Sequence, residues 1–302
     1  MTRRYAVRHR STYRYQEPVV TSHHLLRLLP RSLPSQQVER FRLHCRPEPS
    51  HLVEETDYFG NRRHRCQFTS AYQQLDLVAT SVVSVTRAAD AGTASPRWDA
   101  PRAADPTWVE WTLPSALVPL GRDYAAFAAS SFPAGRPLLD AALDLTHRIH
   151  TGFTYDTEAT SIATPVAEVL ATRRGVCQDF AHLMLACLRS LGLPARYVSG
   201  YLETTPPAGQ PRLRGADASH AWCAVHDPAL GWLDCDPTNG CLVGERHVTL
   251  AWGRDYADVS PVTGIVLGGG AHGVGVAVDV IPDSEWTEQD IDPRGVFAAD
   301  RA

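Results

Sequence analysis

Residues 173–194 read RRGVCQDFAHLMLACLRSLGLP, and the spacing of apolar residues in this stretch decides the fold. After Gly175, which breaks the preceding segment, Phe180, Leu183, Met184, Cys187, Leu188 and Leu191 recur with a helical period. Gly192 and Pro194 stop the helix. Cys177 stands three residues before Phe180, in the first turn and on the side that faces the core. A helix N-terminus presents unpaired N–H groups and a partial positive charge, so it favours a thiolate over a thiol. The backbone N–H of Cys177 is also suited to form part of an oxyanion hole. Taken alone, a cysteine at a helix start is more often a small buried hydrophobe, and Cys187, deep in the same helix, has that character. Cys177 is set apart by a histidine and a carboxylate further along the chain.

Residues 218–240, ASHAWCAVHDPALGWLDCDPTNG, read as two short strands around a Pro-Ala-Leu-Gly turn. Alternation puts Ala221, Cys223 and Val225 on one face of the first strand and His220 with Trp222 on the other. The second strand, 232–236, is ended by Pro237. A hairpin of this size brings Asp234 or Asp236 beside His220. A carboxylate there holds the imidazole in the tautomer that accepts a proton from sulfur, and stabilises the resulting imidazolium. Both aspartates fall on one face, so residue types leave the choice between them open. A single strand histidine is more often structural, an Asp before Pro-Thr-Asn-Gly is an ordinary turn opener, and His226, at the turn, is expected in solvent. The combination of cysteine, histidine and carboxylate is what points to thiol acyl-transfer chemistry.

These motifs carry a family resemblance. GVCQDFAHL (175–183), SHAW (219–222) and DPTNG (236–240), in that order, resemble the bacterial branch of the transglutaminase-like superfamily. The flanking runs TPVAEVL (164–170), GLPARYVSGY (192–201) and GRDYADVSP (253–261) agree. The opening YAVRHRSTYRYQEPV (5–19), LLPR (28–31) and DYFGN (57–61) resemble the N-terminal region that precedes the core in that branch. The resemblance implies an α+β protein: an N-terminal antiparallel β-sandwich, then a papain- and transglutaminase-like core. In that core the nucleophile sits at a helix N-terminus and the His and Asp on antiparallel strands. It implies Cys177, His220 and Asp236 as the triad, with Asp236 chosen over Asp234. Tyr155, Gln178 and Trp222 each offer a hydrogen bond for the second oxyanion or substrate contact. Members of the superfamily include amine-transferring crosslinkers, amide hydrolases and non-catalytic relatives, so the resemblance leaves the reaction open.

Composition sets the outer limits. The 302 residues suffice for one large or two modest domains, and the apolar fraction of 44% is ordinary for a globular protein. No apolar run has membrane-spanning length, and the N-terminus lacks a signal-peptide core, so no membrane partner and a cytoplasmic location are expected. Seven cysteines without CxxC pairing fit a reducing compartment. Cys223, Cys235 and Cys241, with His220 or His226, lack zinc-type spacing, and no calcium-loop spacing is present, so neither metal nor cofactor is expected. Residues 1–66 hold thirteen arginines against six acids, and the remainder sixteen against twenty-seven. The basic segment could meet an acidic partner or dock on the acidic remainder of the chain, but the favoured reading is a solvated strand face, with Arg4, Arg8, Arg10 and Arg14 on one side and Tyr5, Val7, Tyr13 and Tyr15 on the other. No nucleic-acid module is recognisable. The chain has no lysine, which excludes Walker-type phosphate loops and Schiff-base chemistry and means the enzyme cannot use its own side chains as lysine acceptors.

Four segments are expected: the N-terminal sandwich over 1–86, a linker over 87–107, the catalytic core over 108–282, and a poorly ordered acidic tail over 283–302. Residues 203–216, rich in Pro and Gly, read as a mobile loop before His220. The expected activity is thioester-mediated cleavage of an amide in a protein or peptide. Hydrolysis is favoured over amine transfer, because water is the abundant acceptor unless the site excludes it. A non-catalytic binding module is the third reading.

Overall fold

The computed structural model describes residues 2–86, 94–101, 105–204 and 219–292. The N-terminal strands are β1 (Thr2–Leu26), β2 (Gln36–Arg46), β3 (His51–Thr56), β4 (Arg62–Phe68) and β5 (Tyr72–Thr86). Next come α1 (Pro106–Val109), α2 (Arg122–Ala129), α3 (Leu138–Gly152), β6 (Thr154–Tyr155), α4 (Val166–Thr172), β7 (Arg174–Gly175) and α5 (Cys177–Ser190). They are followed by β8 (Ala195–Leu202), β9 (Ser219–Asp227), β10 (Gly231–Asp236), β11 (Cys241–Leu242), β12 (His247–Gly253) and α6 (Tyr256–Val259). The last strands are β13 (Val262–Gly268) and β14 (His272–Pro282). No helix among the described residues is long and apolar enough to cross a membrane.

The mixed α+β content agrees with expectation, but the strands are shared differently. The N-terminal strands form one antiparallel sheet, not two separate ones, because β1 runs through both halves of it. Its first half lies between β5 and β14, and its second half between β4 and β13, with the register shifting after Arg14. The two halves close on a common core that includes Tyr15, Leu26, Cys45, Cys66, Phe68 and Leu77. Residues 262–282 therefore complete the N-terminal sheet and do not belong to the core, where they were expected. The alternation of Val274, Val276, Val278 and Val280 fits any sheet with one buried face, so pattern alone does not say which sheet they join.

Residues 283–292 are docked as well: Ile291 is buried with Ala6 and Val82, and Thr80 donates its hydroxyl to the Ile291 carbonyl. Residues 293–302 lie outside the described residues. Within the expected linker, Trp98 packs on Phe132 and donates its indole N–H to Pro133, and 87–93 and 102–104 lie outside the described residues. So does the expected loop from residue 205 onward.

The core sheet has the order β11-β10-β9-β8-β12. Helix α5 packs on one face, burying Phe180, Leu183, Met184, Cys187 and Leu188 against Ala195, Tyr197, Ala221, Cys223 and Val225. An exposed strand edge invites pairing with other chains. Here the β12 edge is covered by two amide side chains of the N-terminal region. Gln36 accepts from Thr249 N–H at 2.7 Å and donates to the Thr249 carbonyl at 2.7 Å. Asn61 does the same for Trp252, at 3.0 and 2.8 Å. Each amide imitates a peptide group of a missing neighbouring strand, and Gln36 sits where the β12 register slips between Thr249 and Ala251.

Several of the N-terminal arginines find acids within the chain. Arg8 pairs with Asp279, Arg40 with Glu288, Arg3 with Glu203, and Arg62 and Arg63 with Glu54 and Glu55. Three of these acids, Glu203, Asp279 and Glu288, belong to the acidic remainder. Docking on the acidic remainder therefore accounts for Arg3, Arg8 and Arg40, while Arg14 stays exposed on the strand face.

Candidate active site

Cys177 opens α5, as its sequence context predicts, and its thiol is partly exposed. The preceding turn is held by Asp179, whose Oδ2 accepts from the Val176 N–H at 2.8 Å and from the Thr160 hydroxyl at 2.6 Å. This fold-back requires glycine at 175, since a Cβ there would stand 2.8 Å from Asp179 Oδ2. Gly175 does not close α4. Arg173 does so, with φ 58° in the left-handed region. Gly175 instead pairs with Tyr155 in the short parallel bridge β6–β7. Tyr155 is thereby set beside Cys177 and remains 54% exposed. Burial raises its phenol pKa, and negative charge on Cys177 and Asp179 raises it further.

His220 and Asp236 meet across the β9–β10 hairpin. Nε2 of His220 lies 2.7 Å from Oδ2 of Asp236, and Cys177 is close enough to act on the charge of the His220 ring. With Nε2 turned to the carboxylate, Nδ1 is the ring nitrogen left for sulfur. Burial pushes the imidazole pKa down, but the Asp236 carboxylate and the neighbouring Cys177 outweigh it and raise it to about 10. Asp236 is fully buried. Burial alone would raise its pKa, yet hydrogen bonds from His220, His247 and Asn239 hold it well below the usual carboxylate range. Its Oδ1 accepts from the backbone N–H groups of Thr238 and Asn239 at 2.9 and 3.1 Å, the turn chemistry expected of Asp-Pro-Thr-Asn.

Two sequence candidates are engaged elsewhere. Trp222 is fully buried and donates its indole N–H to Asp234 at 3.0 Å, so that donor is occupied. Its ring fills the space above Gly200, where a Cβ would stand 2.3 Å from the indole. Gln178 donates to the Ile162 carbonyl at 3.4 Å.

Residues 5–84 match the bacterial transglutaminase-like N-terminal region, and residues 126–237 match the transglutaminase-like superfamily core. A protein of Mycobacterium tuberculosis, itself uncharacterised, is 41% identical over 93% of each chain. The chain belongs to the bacterial transglutaminase-like superfamily.

Two further proteins resemble this transglutaminase-like chain. A 68-residue stretch is 43% identical to part of a protein-glutamine gamma-glutamyltransferase of Pseudomonas aeruginosa, covering 22% of this chain and 10% of that one. The crystal structure of a candidate cysteine protease from Cytophaga hutchinsonii superposes with a TM-score of 0.73 at 20% identity, over 95% of this chain and 93% of that one. It shares the fold.

Sequence reasoning missed two residues of this transglutaminase-like site. Asn239 donates to Asp236 Oδ2 at 2.7 Å, and His247, at the start of β12, approaches the same oxygen at 3.0 Å. The available signal was the His247, Thr249 alternation shortly after the Asp-Pro-Thr-Asn turn. Among the described residues, His220, Asp236 and His247 are the one group whose ligand atoms come close enough to hold a metal ion. The hydrogen bonds converging on Asp236 already use those atoms.

Proposed function

We propose that this transglutaminase-like protein is a thiol acyl-transfer enzyme that cleaves amide bonds in proteins or peptides, with Cys177 as nucleophile, His220 as general base and acid, and Asp236 as the orienting carboxylate. The observation that carries the reading is His220, hydrogen-bonded at 2.7 Å to a buried Asp236 and close enough to Cys177 for the thiol to raise its pKa. Cys177 gives its proton to His220 Nδ1. The thiolate attacks the carbonyl carbon, and the oxyanion is held by the Cys177 backbone N–H together with a second donor. As the C–N bond breaks, Nδ1–H protonates the departing nitrogen and a thioester remains. Water, deprotonated by His220, then attacks the thioester, giving a carboxylate and restoring the thiol.

Hydrolysis is the favoured outcome because Tyr155 is exposed and Cys177 is partly so. The Pseudomonas relative supports a second reading, in which an amine replaces water as acceptor. All seven cysteines are free thiols, which supports action in a reducing compartment. The test is the rate of Cys177 alkylation by iodoacetamide against pH, in the wild type and in His220→Ala. Reactivity that persists well below pH 7 and disappears in the variant is the expected result. A rate that rises only near pH 8–9, as for an ordinary thiol, would overturn the proposal and favour a binding module.

A further inference from the structure

Asp236 Oδ2 is approached by two imidazoles. His220 Nε2 is 2.7 Å away and His247 Nε2 is 3.0 Å away, and Asn239 Nδ2 completes the set at 2.7 Å. The other ring nitrogen of His247 identifies its tautomer. The backbone N–H of Gly244 points at His247 Nδ1, 3.2 Å away, so Nδ1 is the acceptor and the proton resides on Nε2. His247 is thus a neutral donor to the carboxylate, locked by its own chain turn. His247 is buried, and its ring lies edge-on to Trp222 at a centroid separation of 5.4 Å.

Oδ1 of Asp236 is fully engaged by the two backbone N–H groups of its turn, so the orientation of Oδ2 depends on side chains. Of these, Asn239 belongs to that same turn and moves with Asp236. His247 is the only one of the three anchored on a different strand from both triad partners, on β12, whose register is pinned by Gln36 and Asn61. It is placed to hold the carboxylate against the pull of His220.

We infer that His247 is a positioning residue: through a neutral Nε2–H it fixes the Asp236 carboxylate so that His220 presents Nδ1 to Cys177. The inference rests on the proposed Cys177–His220–Asp236 chemistry and extends it by one residue that touches neither sulfur nor substrate. Removing the donor leaves Asp236 a freer and more basic carboxylate, protonated at higher pH. The imidazolium then loses orientation, and the thiolate survives only to a less acidic limit.

The test uses the full chain and two variants. His247→Phe keeps an aromatic ring and deletes the donor. His247→Gln returns a neutral N–H near the position of Nε2. Iodoacetamide alkylation of Cys177 is followed from pH 4 to 10, with urea denaturation alongside. His247→Phe is expected to lower the rate at pH 6 about tenfold, the order of a hydrogen bond to a charged group, and to move the acid limb of the profile upward. His247→Gln is expected to restore most of both. A phenylalanine variant that is less stable but keeps the wild-type pH profile would overturn the inference in favour of simple packing. So would a glutamine variant that is folded yet no better than phenylalanine. If the phenylalanine variant does not fold, glutamine alone decides, by keeping or losing the wild-type acid limb. Absence of low-pH reactivity in the wild type would instead be the failure of the triad reading, and is distinguishable from all three.

Discussion

Trp222 gives its indole N–H to Asp234 across the β9–β10 hairpin, and His220 gives Nε2–H to Asp236 by the same diagonal step one pair further along. Cys235 stands opposite Cys223 in this ladder, so the two contacts are equivalent diagonals two residues apart. Diagonal neighbours on one face of an antiparallel pair lie within reach of long side chains. Two donors and two carboxylates are thereby matched without crossing, and Asp234 is already occupied when His220 selects a partner.

The two aspartates should therefore separate cleanly under substitution. Asp236→Asn is expected to abolish the low-pH alkylation of Cys177. Asp234→Asn, which keeps an acceptor for the Trp222 N–H, is expected to retain it. Equal loss in both, with circular dichroism unchanged, would show that the carboxylates act together.

Stability should depend on pH through the same contact. The pKa of His220 is raised in the folded protein from 6.5 to about 10, so its contribution is fully present below about pH 6.5 and is lost as the pH rises through 10. That of Asp236 is depressed below its ordinary 3.8, so its contribution is present above that value and is lost only as the pH falls through the folded pKa. Urea denaturation is expected to give a plateau between about pH 4 and 6.5 and a decline toward pH 10. In Asp236→Asn the alkaline decline should flatten. A decline of unchanged size would assign it to other groups.

Tyr155 is the sequence candidate that stays exposed while its phenol senses the charge of Cys177. If its phenol donates to the developing oxyanion, Tyr155→Phe should slow thioester formation with an activated ester by roughly 10²-fold, the scale of one lost oxyanion donor. Cys177 alkylation, which develops no such oxyanion, should be unaffected. Equal rates for both reactions in variant and wild type would leave the second donor to a backbone group.

Gln36 tests the cover over the β12 edge. Gln36→Ala strands the buried Thr249 N–H and should cost ~1–3 kcal/mol in urea denaturation. Gln36→Glu keeps an acceptor for that N–H but sets a carboxylate against the Thr249 and Arg31 carbonyls, each now 2.7 Å from the amide nitrogen. It should be the more damaging of the two. A glutamate tolerated as well as glutamine would mean that the amide is not read as a peptide mimic.

Local chemistry makes much of the site legible. The period from Phe180 to Leu191 marks the helix, and alternation through residues 220–225 marks the hairpin face. What escapes is set by pairing between distant segments. Register decides between Asp234 and Asp236, and neither composition nor alternation carries it. Residues 274–280 alternate as a strand should, but their partner, β1, lies more than two hundred residues away. His247 escapes for the same reason: a histidine opening an alternating run has no partner until β12 is laid beside β8. Gly175 reads in sequence as a helix stop, whereas its small size serves the return of the Asp179 side chain.

The shared strand β1 ties completion of the protein to the order in which it is synthesised. One of its edges receives β13 and β14, which leave the ribosome only after the whole core sheet has been made. Until then that edge is bare, and long-range pairings of this kind form slowly. A chain interrupted anywhere within the core keeps an open strand edge, the surface that promotes aggregation and removal. A chain that reaches residue 282 covers it with strands of its own. Closing the N-terminal sheet thus requires that the segment carrying Cys177, His220 and Asp236 has been made first.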